Sequence, residues 1–448
     1  METQRSASGS PTKEFFKNTI IRDISLEDAV LDLLDNCVDG ARNYIYRSNG
    51  QVKLDQEENI YSNFNVSIEM YGDHFIIDDN CGGIPLSVAE DYAFNFGKDE
   101  SHPDREGISI GLYGIGMKRA LFKIGNNITI KSETESNSFE VDFKVNEWQG
   151  KTKSWDFPLR VLDNSGSIGT RIEVSEIREE IKDIMSSNKF KRSLYKVIAR
   201  DYSFIIKKGL NIEINGKRVD RYPFELKKSK EFKPVNRIDK YKNVDIEISA
   251  GMAHVPPDDP AAERVESESR GESEYYGWFV VCNDRVVLAA DKSEKTVWGH
   301  ADFPEFHTQY YGFIGIVRFE GDPEDLPWTT SKRNIDESSS VYSYVRQEMK
   351  AATKPWLEYT NKRKKDITEA KEKEASTTTV SVDDVKRKEK METPEIGEQE
   401  KTQMANINYR KPKDKVKEVS KSLSGYSNMN YRDVGKETFE YYYEIEIK

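Results

Sequence analysis

The sequence predicts an α+β architecture, an α/β sandwich of mixed, largely antiparallel strands with helices on one face. Three observations carry that expectation. Apolar residues recur with helical spacing at Leu26, Ala29, Val30, Leu33, Leu34, Cys37 and Ala41. In residues 66–70, Val66, Ile68 and Met70 alternate with polar neighbours, as in a half-buried strand. Gly72-Asp73 and Asn215-Gly216 read as two-residue hairpin turns, so helices mix with antiparallel strands rather than forming strict βαβ repeats.

Taken in order, residues 1–12 read as a flexible tail. Ser25 followed by Asp28 is a capping box, and a helix is expected from 26 to about 46, ending at Ser48-Asn49-Gly50. Strands are expected at 66–70 and 74–78, the second ending in Asp79-Asn80-Cys81-Gly82-Gly83-Ile84-Pro85. A short helix over 86–96, a glycine-punctuated segment over 97–116 and an apolar helix over 115–124 follow. Strands at 128–132, 139–145 and 170–174 precede a helical stretch over 176–208 and a hairpin over 211–219. Residues 250–271 read as an exposed loop, 275–320 as strand-like and 336–359 as helix. From 362 to 401 the chain is rich in Lys, Glu, Ser and Thr, which reads as a charged linker or a solvated helix. Residues 441–447 alternate like a strand. The domain expectation is a tail (1–12), a first domain (13–222), a second (223–360), a charged linker (361–405) and a small C-terminal module (406–448).

A chain of 448 residues is long enough for two or three domains, each with its own core. Charged residues make up 33% of it, the mean hydropathy is −0.76, and the net charge of −11 argues against a uniformly basic nucleic-acid binder while leaving room for a local basic patch. The three cysteines, Cys37, Cys81 and Cys282, are too scattered for a disulfide framework, which suggests a reducing compartment. Residues 1–16 lack the apolar core of a signal peptide. The most apolar run, 278–290, is interrupted by Asn283-Asp284-Arg285, so no membrane span and a cytoplasmic location are expected.

Chemistry concentrates in three motifs. On the first long helix, Asp32, Asp35, Asn36 and Asp39 are three and four residues apart and share one side. Stacked acids repel by a few tenths of a kcal/mol per pair, so a bound cation, a lysine or plain solvent must compensate. Asn36 offers a neutral amide oxygen suited to Mg²⁺, whose other positions water and phosphates fill. Asp32, one turn earlier, can deprotonate a water. Second, Asp79 is a strand-end carboxylate able to accept from an exocyclic amine, and Gly82 and Gly83 clear side chains from the backbone beside it. Third, Gly111, Gly114 and Gly116 open a helix whose free N–H groups favour anions. Singly, these are a solvated face, a turn and a flexible connection; their order in one chain is far more specific.

In that order the motifs resemble the GHKL ATPases, which share the Bergerat nucleotide-binding fold; the resemblance spans residues 15–220. It implies ATP and Mg²⁺ as cofactors. Asn36 then takes the place of the metal ligand and Asp32 that of the family's catalytic glutamate. Asp79 corresponds to the adenine-reading aspartate, Gly82 and Gly83 to the loop beneath the base, and Gly111, Gly114 and Gly116 to the phosphate-binding lid hinge. Lys118 (with Lys98 as a weaker candidate) is a phosphate contact, and Thr170 resembles the threonine supporting Asp79 through a water. Asp32 is one methylene shorter than the family's glutamate, and Cys81 stands at the middle glycine of the family's Asp-x-Gly-x-Gly.

The stretch 278–287, with its Asn283-Asp284-Arg285 turn, resembles the transducer-like second domain of MORC, MutL and gyrase-type members. Residues 328–334 resemble the loop that returns a lysine to the γ-phosphate, here Lys332; by composition alone, Lys332 and Arg333 are solvated loop cations. The expectation is an ATP-binding and ATP-hydrolysing, MORC-like or chaperone-like clamp that forms a homodimer when nucleotide is bound. The alternatives are a nucleotide-gated scaffold with negligible hydrolysis, or a DNA-engaging ATPase using the lysine-rich patches 362–365, 386–390 and 411–417. A protein partner fits any of these.

Overall fold

Ser25 starts the central helix as its spacing predicts. Its hydroxyl accepts the Asp28 backbone N–H at 3.0 Å and donates to the Asp28 carboxylate at 2.7 Å. The computed structural model describes residues 12–22, 24–49, 59–95, 115–151, 154–258, 275–329, 331–397 and 407–447. It divides into two compact units, Met1–Gly397 and Glu398–Lys448.

The first unit begins with α1 (Lys13–Arg22) and α2 (Leu26–Asn49), then β1 (Asn65–Met70) and β2 (His74–Asp79). A single helical turn, α3 (Leu86–Val88), continues into a wide turn over Ala89–Ala93, shorter than the expected helix. After α4 (Gly116–Ile124) come β3 (Gly125–Glu133), β4 (Ser138–Lys144), α5 (Val145–Gly150), β5 (Leu159–Leu162) and β6 (Gly169–Ile177). The stretch expected as one helix is three: α6 (Glu179–Ser186), α7 (Asn188–Asp201) and α8 (Ser203–Lys207). The first break is at Ser187, whose extended backbone and hydroxyl cap α7 through the Phe190 N–H at 3.1 Å. The hairpin β7 (Asn211–Ile214) and β8 (Lys217–Arg218) turns at Asn215 and Gly216, both at positive φ, as its two-residue loop requires.

These strands form one eight-stranded sheet in the order β5-β4-β3-β6-β2-β1-β7-β8, antiparallel except for the β1–β7 pair. Alternation decides its faces: Val66, Ile68 and Met70 are buried, and Ser67 and Glu69 are partly exposed. Residues of α2 and α4 complete the same core.

The second sheet was only partly legible. β10 (Val235–Tyr241) and β11 (Val244–Met252), a hairpin absent from the expectation, join β12 (Gly277–Cys282), β13 (Arg285–Asp291) and β14 (Phe313–Glu320) in the order β10-β11-β14-β12-β13. Ala250 and Met252, expected in an exposed loop, are instead the buried end of β11, because they pair with Gly315 and Phe313 of β14. Every residue of β12 is buried, since both faces of the sheet are covered. On one side Trp278 donates to Thr353 of the long helix α9 (Ser340–Arg363) at 3.2 Å. On the other, Phe279 and Val281 pack with Phe204, Phe224, Leu226, Val380 and Val382.

That second cover corrects the expected charged linker. Residues 367–385 form α10 (Ile367–Ala375) and β15 (Thr378–Ser381), and β15 pairs with β9 (Glu225–Lys228). Two of its charges are paired inside the fold: Glu374, buried, takes Arg363 at 2.7 Å and the Tyr359 hydroxyl at 2.5 Å. Of its few apolar residues, Ala370, Val380, Val382, Met391 and Ile396 are buried, Ile367 and Val385 are partly buried and Ala375 is exposed.

The C-terminal unit is a helical hairpin, α11 (Lys413–Ser424) and α12 (Tyr431–Tyr442), turning at Gly425 in the left-handed conformation. The strand expected over 441–447 is helical instead. Asn430 caps α12 through the Arg432 N–H, and a helix satisfies its backbone internally where a lone strand would need a neighbour.

Candidate functional site

Helix α2 does not present its acids to solvent. Asp32 and Asp35 are 5% and 2% exposed, whereas Asn36 is exposed. Of the three forms of compensation left open by the sequence, the chain's own cations supply most. Arg119 of α4 grips Asp32 with two bonds, Nε to Oδ2 at 2.6 Å and Nη2 to Oδ1 at 3.0 Å. Burial still outweighs this partner, so the Asp32 carboxyl titrates above the ordinary carboxylate range. Asp35 accepts Lys332 Nζ on Oδ2 at 3.0 Å, and the Tyr202 hydroxyl at 2.6 Å and Arg285 Nε at 3.2 Å on Oδ1. Burial pushes this carboxyl up, but Lys332, Arg285 and Tyr202 together hold it below its usual range.

Lys332 and Arg333 are therefore not solvated loop cations. Arg333 lies against Asp28 at 2.5 Å, Glu27 at 2.7 Å and Asp201 at 3.4 Å, at the start of α2 and the end of α7. Arg285, almost wholly buried, also meets Asp201 at 3.2 Å and stacks over the Tyr202 ring. The Asn283-Asp284 turn before it has both residues at positive φ. It touches the first domain too: Arg42 donates to the Asn283 carbonyl at 2.9 Å and Lys208 to Asp284 at 2.6 Å. Five cations thus stitch the second sheet and its 331–334 loop onto α2, α7 and α8.

At the end of β2, Asp79 Oδ1 accepts the N–H groups of Cys81 at 2.8 Å and Thr170 at 3.3 Å. Burial raises this carboxyl to about 6 against those bonds. Thr170 bonds Asp79 directly through its backbone, and its hydroxyl lies 2.9 Å from that of Ser132. The Cys37 thiol of α2 donates to the Leu33 carbonyl at 3.4 Å. A close approach at Gly40, where a side chain would meet the Cys81 carbonyl at 2.8 Å, joins the acidic helix to the strand end. Burial raises the Cys37 and Cys81 thiols well above their usual value, consistent with small buried residues and not reactive ones.

Gly82 and Gly83 are required by protein packing. Both have positive φ; a Cβ at 82 would strike Tyr44 at 2.7 Å, and one at 83 the Glu133 carbonyl at 2.0 Å. Gly116 opens α4 against Asp32, with its Cβ position 3.5 Å from the carboxyl carbon. Lys118 is buried and donates to the Ala93 carbonyl at 2.9 Å; burial pulls it down to about 7. Gly111, Gly114 and Lys98 lie outside the described residues. Asp32, Asn36 and Gly116 therefore share one end of the α2–α4 contact, Asp79, Gly82, Gly83 and Thr170 the adjoining strand end, and Lys332 arrives from the second domain. A cavity of about 840 Å³ lies against the other face of the sheet, between Ser67, Asp78, Lys131 and Arg171; it reaches this site only at Asp79, Ser132 and Thr170, so the chemistry argues for the α2 side.

A family model described as histidine kinase-, DNA gyrase B-, and HSP90-like ATPase matches residues 24–193. The chain carries a GHKL-type ATPase domain. No curated protein matches the chain. The GHKL match begins just before α2 and ends within α7, so it takes in the acidic helix, Asp79, the glycine segment and Thr170, and it supports ATP binding. The described residues of the GHKL domain fit a nucleotide: Asp79 is a fixed acceptor, Asn36 presents an exposed amide, and α4 opens at Gly116 with backbone N–H groups unused by the helix. Sequence reasoning missed Arg119, Tyr202 and Asp201. Only Arg119 left a trace, as a second cation beside Lys118 on a helix that had to cross an acidic one.

Proposed function

We propose that this chain is an ATP-operated clamp in which the state of the GHKL site is passed to the second domain through Lys332. The observation that carries this reading is the 3.0 Å contact of Lys332 with Asp35, one residue from Asn36 and three from Asp32. Bound ATP with Mg²⁺ supplies the cleavable bond and a terminal phosphate. Asn36 is the proposed protein ligand of the metal, and Asp79 the acceptor for the adenine amine. Asp32 takes the proton of the attacking water, which requires Arg119 to loosen its two-pronged hold. Lys332, a compact cation on a short loop, steadies charge developing at the terminal phosphate. Two chains then associate through their GHKL domains while nucleotide is bound, in the manner of a MORC-like or chaperone-like clamp.

The test combines light scattering with ATP turnover. A non-hydrolysable ATP analogue is expected to convert monomer to dimer, and Asp32→Asn to cut turnover by about 10²-fold or more. A protein that stays monomeric and hydrolyses ATP independently of Asp32 would overturn the proposal. The second reading, a nucleotide-gated scaffold with negligible hydrolysis, rests on the Arg119 grip and on the short Asp32 side chain. Nucleotide-dependent dimerisation with turnover no faster than in Asp32→Asn selects it.

A further inference from the structure

We propose that the outer face of α7, with the two turns packed against it, binds the phosphate backbone of a nucleic acid. Between Asn188 and Arg200 this helix carries five cations and no acid. Arg200 is used internally, on Asp201 at 2.7 Å. Lys189, Arg192 and Lys196 are exposed, lie at i, i+3 and i+7 on one stripe, and pair with no carboxylate among the described residues. That stripe spans about 10 Å along the helix axis.

Neighbouring turns widen it into a ridge. Lys191 sits 5.7 Å from the ring of Tyr71, at the β1–β2 turn, and Tyr71 is 41% exposed. Lys217, in the β7–β8 hairpin, sits 4.6 Å from the ring of Tyr195 on α7, and the Tyr195 hydroxyl donates to the Arg218 carbonyl at 3.0 Å. Lys217 is exposed, whereas Arg218, opposite Glu213 in the hairpin, lies with it on the other face of the sheet. Two carboxylates near the ridge already have partners: Asp220 takes the Tyr195 hydroxyl and Asp73 takes His74. Five cations against these two acids form a local basic surface on a chain of net charge −11.

This composition favours a nucleic acid over a membrane surface. Of the apolar residues of α7, Leu194, Ile198 and Ala199 are buried and Phe190 and Val197 pack partly buried against the core, leaving no exposed aliphatic row to enter a bilayer. Exposed lysine and arginine along a helix, with a tyrosine at its flank, suit the charged sugar–phosphate backbone. The ridge uses none of the cations of the lysine-rich segments 362–365, 386–390 and 411–417, and it does not depend on the clamp reading. α7 nevertheless ends at Asp201, which holds Arg285 and Arg333, so an occupied ridge lies one helix away from the Lys332 loop.

The experiment measures fluorescence anisotropy of a short labelled DNA duplex with the full chain, without nucleotide, between about 50 and 200 mM salt. Wild type is expected to bind with a steep salt dependence. The triple variant Lys189→Glu, Arg192→Glu, Lys196→Glu is expected to lose about tenfold or more in affinity, and to flatten the log–log salt slope by about 2.7, or 0.9 for each of three contacts. Single variants Arg192→Ala and Lys217→Ala, each expected to weaken binding severalfold, guard against misfolding of the triple. Three results would overturn the proposal: no duplex binding by wild type at low salt, binding unchanged in all of these variants, or tighter binding to phosphatidylserine vesicles than to the duplex. Loss confined to Lys413→Glu, Lys415→Glu, Lys417→Glu, on α11, would do the same.

Discussion

Replacing Asp35 by asparagine tests the junction between the two domains. The change keeps the size of the side chain and an acceptor for Tyr202 but removes the charge facing Arg285 and Lys332. At an effective dielectric near 20, unit charges about 3 Å apart attract by roughly 5 kcal/mol, and the cost of burying them offsets part of this. Removing one member of a buried pair costs about 3–5 kcal/mol. The lower end applies here: Arg285 keeps Asp201, and Lys332, 8% exposed, can turn toward water. Asp35→Asn should therefore cost about 3 kcal/mol. Lys332→Met should cost less, because Asp35 retains Arg285 and Tyr202. The double variant should cost well under the sum, with a coupling of about 2 kcal/mol. Because Asp35 titrates below its unfolded value, its contribution is present above the unfolded carboxylate pKa and is lost as pH falls through the folded one. The deficit should thus be constant from about pH 5 to 8 and shrink below about pH 4. Urea denaturation followed in parallel by tryptophan fluorescence and far-UV circular dichroism reads these values. Single losses below about 1 kcal/mol with strict additivity would refute the reasoning.

Two further outcomes follow from neighbouring carboxylates. Arg119→Met strips Asp32 of its close partner and should raise that carboxyl further; the folded state then holds a proton the unfolded state has released, so stability should fall as pH rises from 5 to 8. The deficit should reach about 3 kcal/mol and vanish when Asp32→Asn is added, as checked by denaturation across that range. Asp79, raised to about 6, should be ionised to accept an amine; ATP affinity measured by calorimetry should therefore fall about tenfold from pH 7 to pH 5 and lose this dependence in Asp79→Asn.

Local signals were read well from the sequence. Ser25 and Asp28 placed the start of α2, alternation placed β1, and Asn215-Gly216 placed a hairpin, because each rests on neighbours a few residues apart. Contacts across the fold were different. Nothing near Asp32 announces Arg119, since their meeting depends on how α4 crosses α2. Lys332 lies 297 residues from Asp35 and was singled out only through the likeness of its loop to a transducer. The β10–β11 hairpin turns at Lys242, which adopts positive φ without the Asn-Gly or Asp-Gly signature. Residues 361–397 were misjudged for another reason: composition counts charges, whereas Arg363 and Glu374 cancel one another inside the fold. The same reasoning misread α2, where a row of acids suggested a surface and half of it is interior.

The apolar cluster behind β12 has a consequence for the order in which this protein matures. Phe204 belongs to the last helix before β7, Phe224 to the join between domains, and Val380 and Val382 to the final strand and turn of the first unit. A chain emerging from the ribosome completes the eight-stranded sheet once residue 218 is out, and Phe224 soon stacks on Phe204, yet the cluster around them stays incomplete until Val380 and Val382 arrive more than 150 residues later. Domains usually fold as units from the N-terminus. Here the first sheet can form early, but one flank remains sticky until residue 382 closes it. Ending the chain at residue 360 would leave that flank open for good, exposing Phe279 and Val281 of β12.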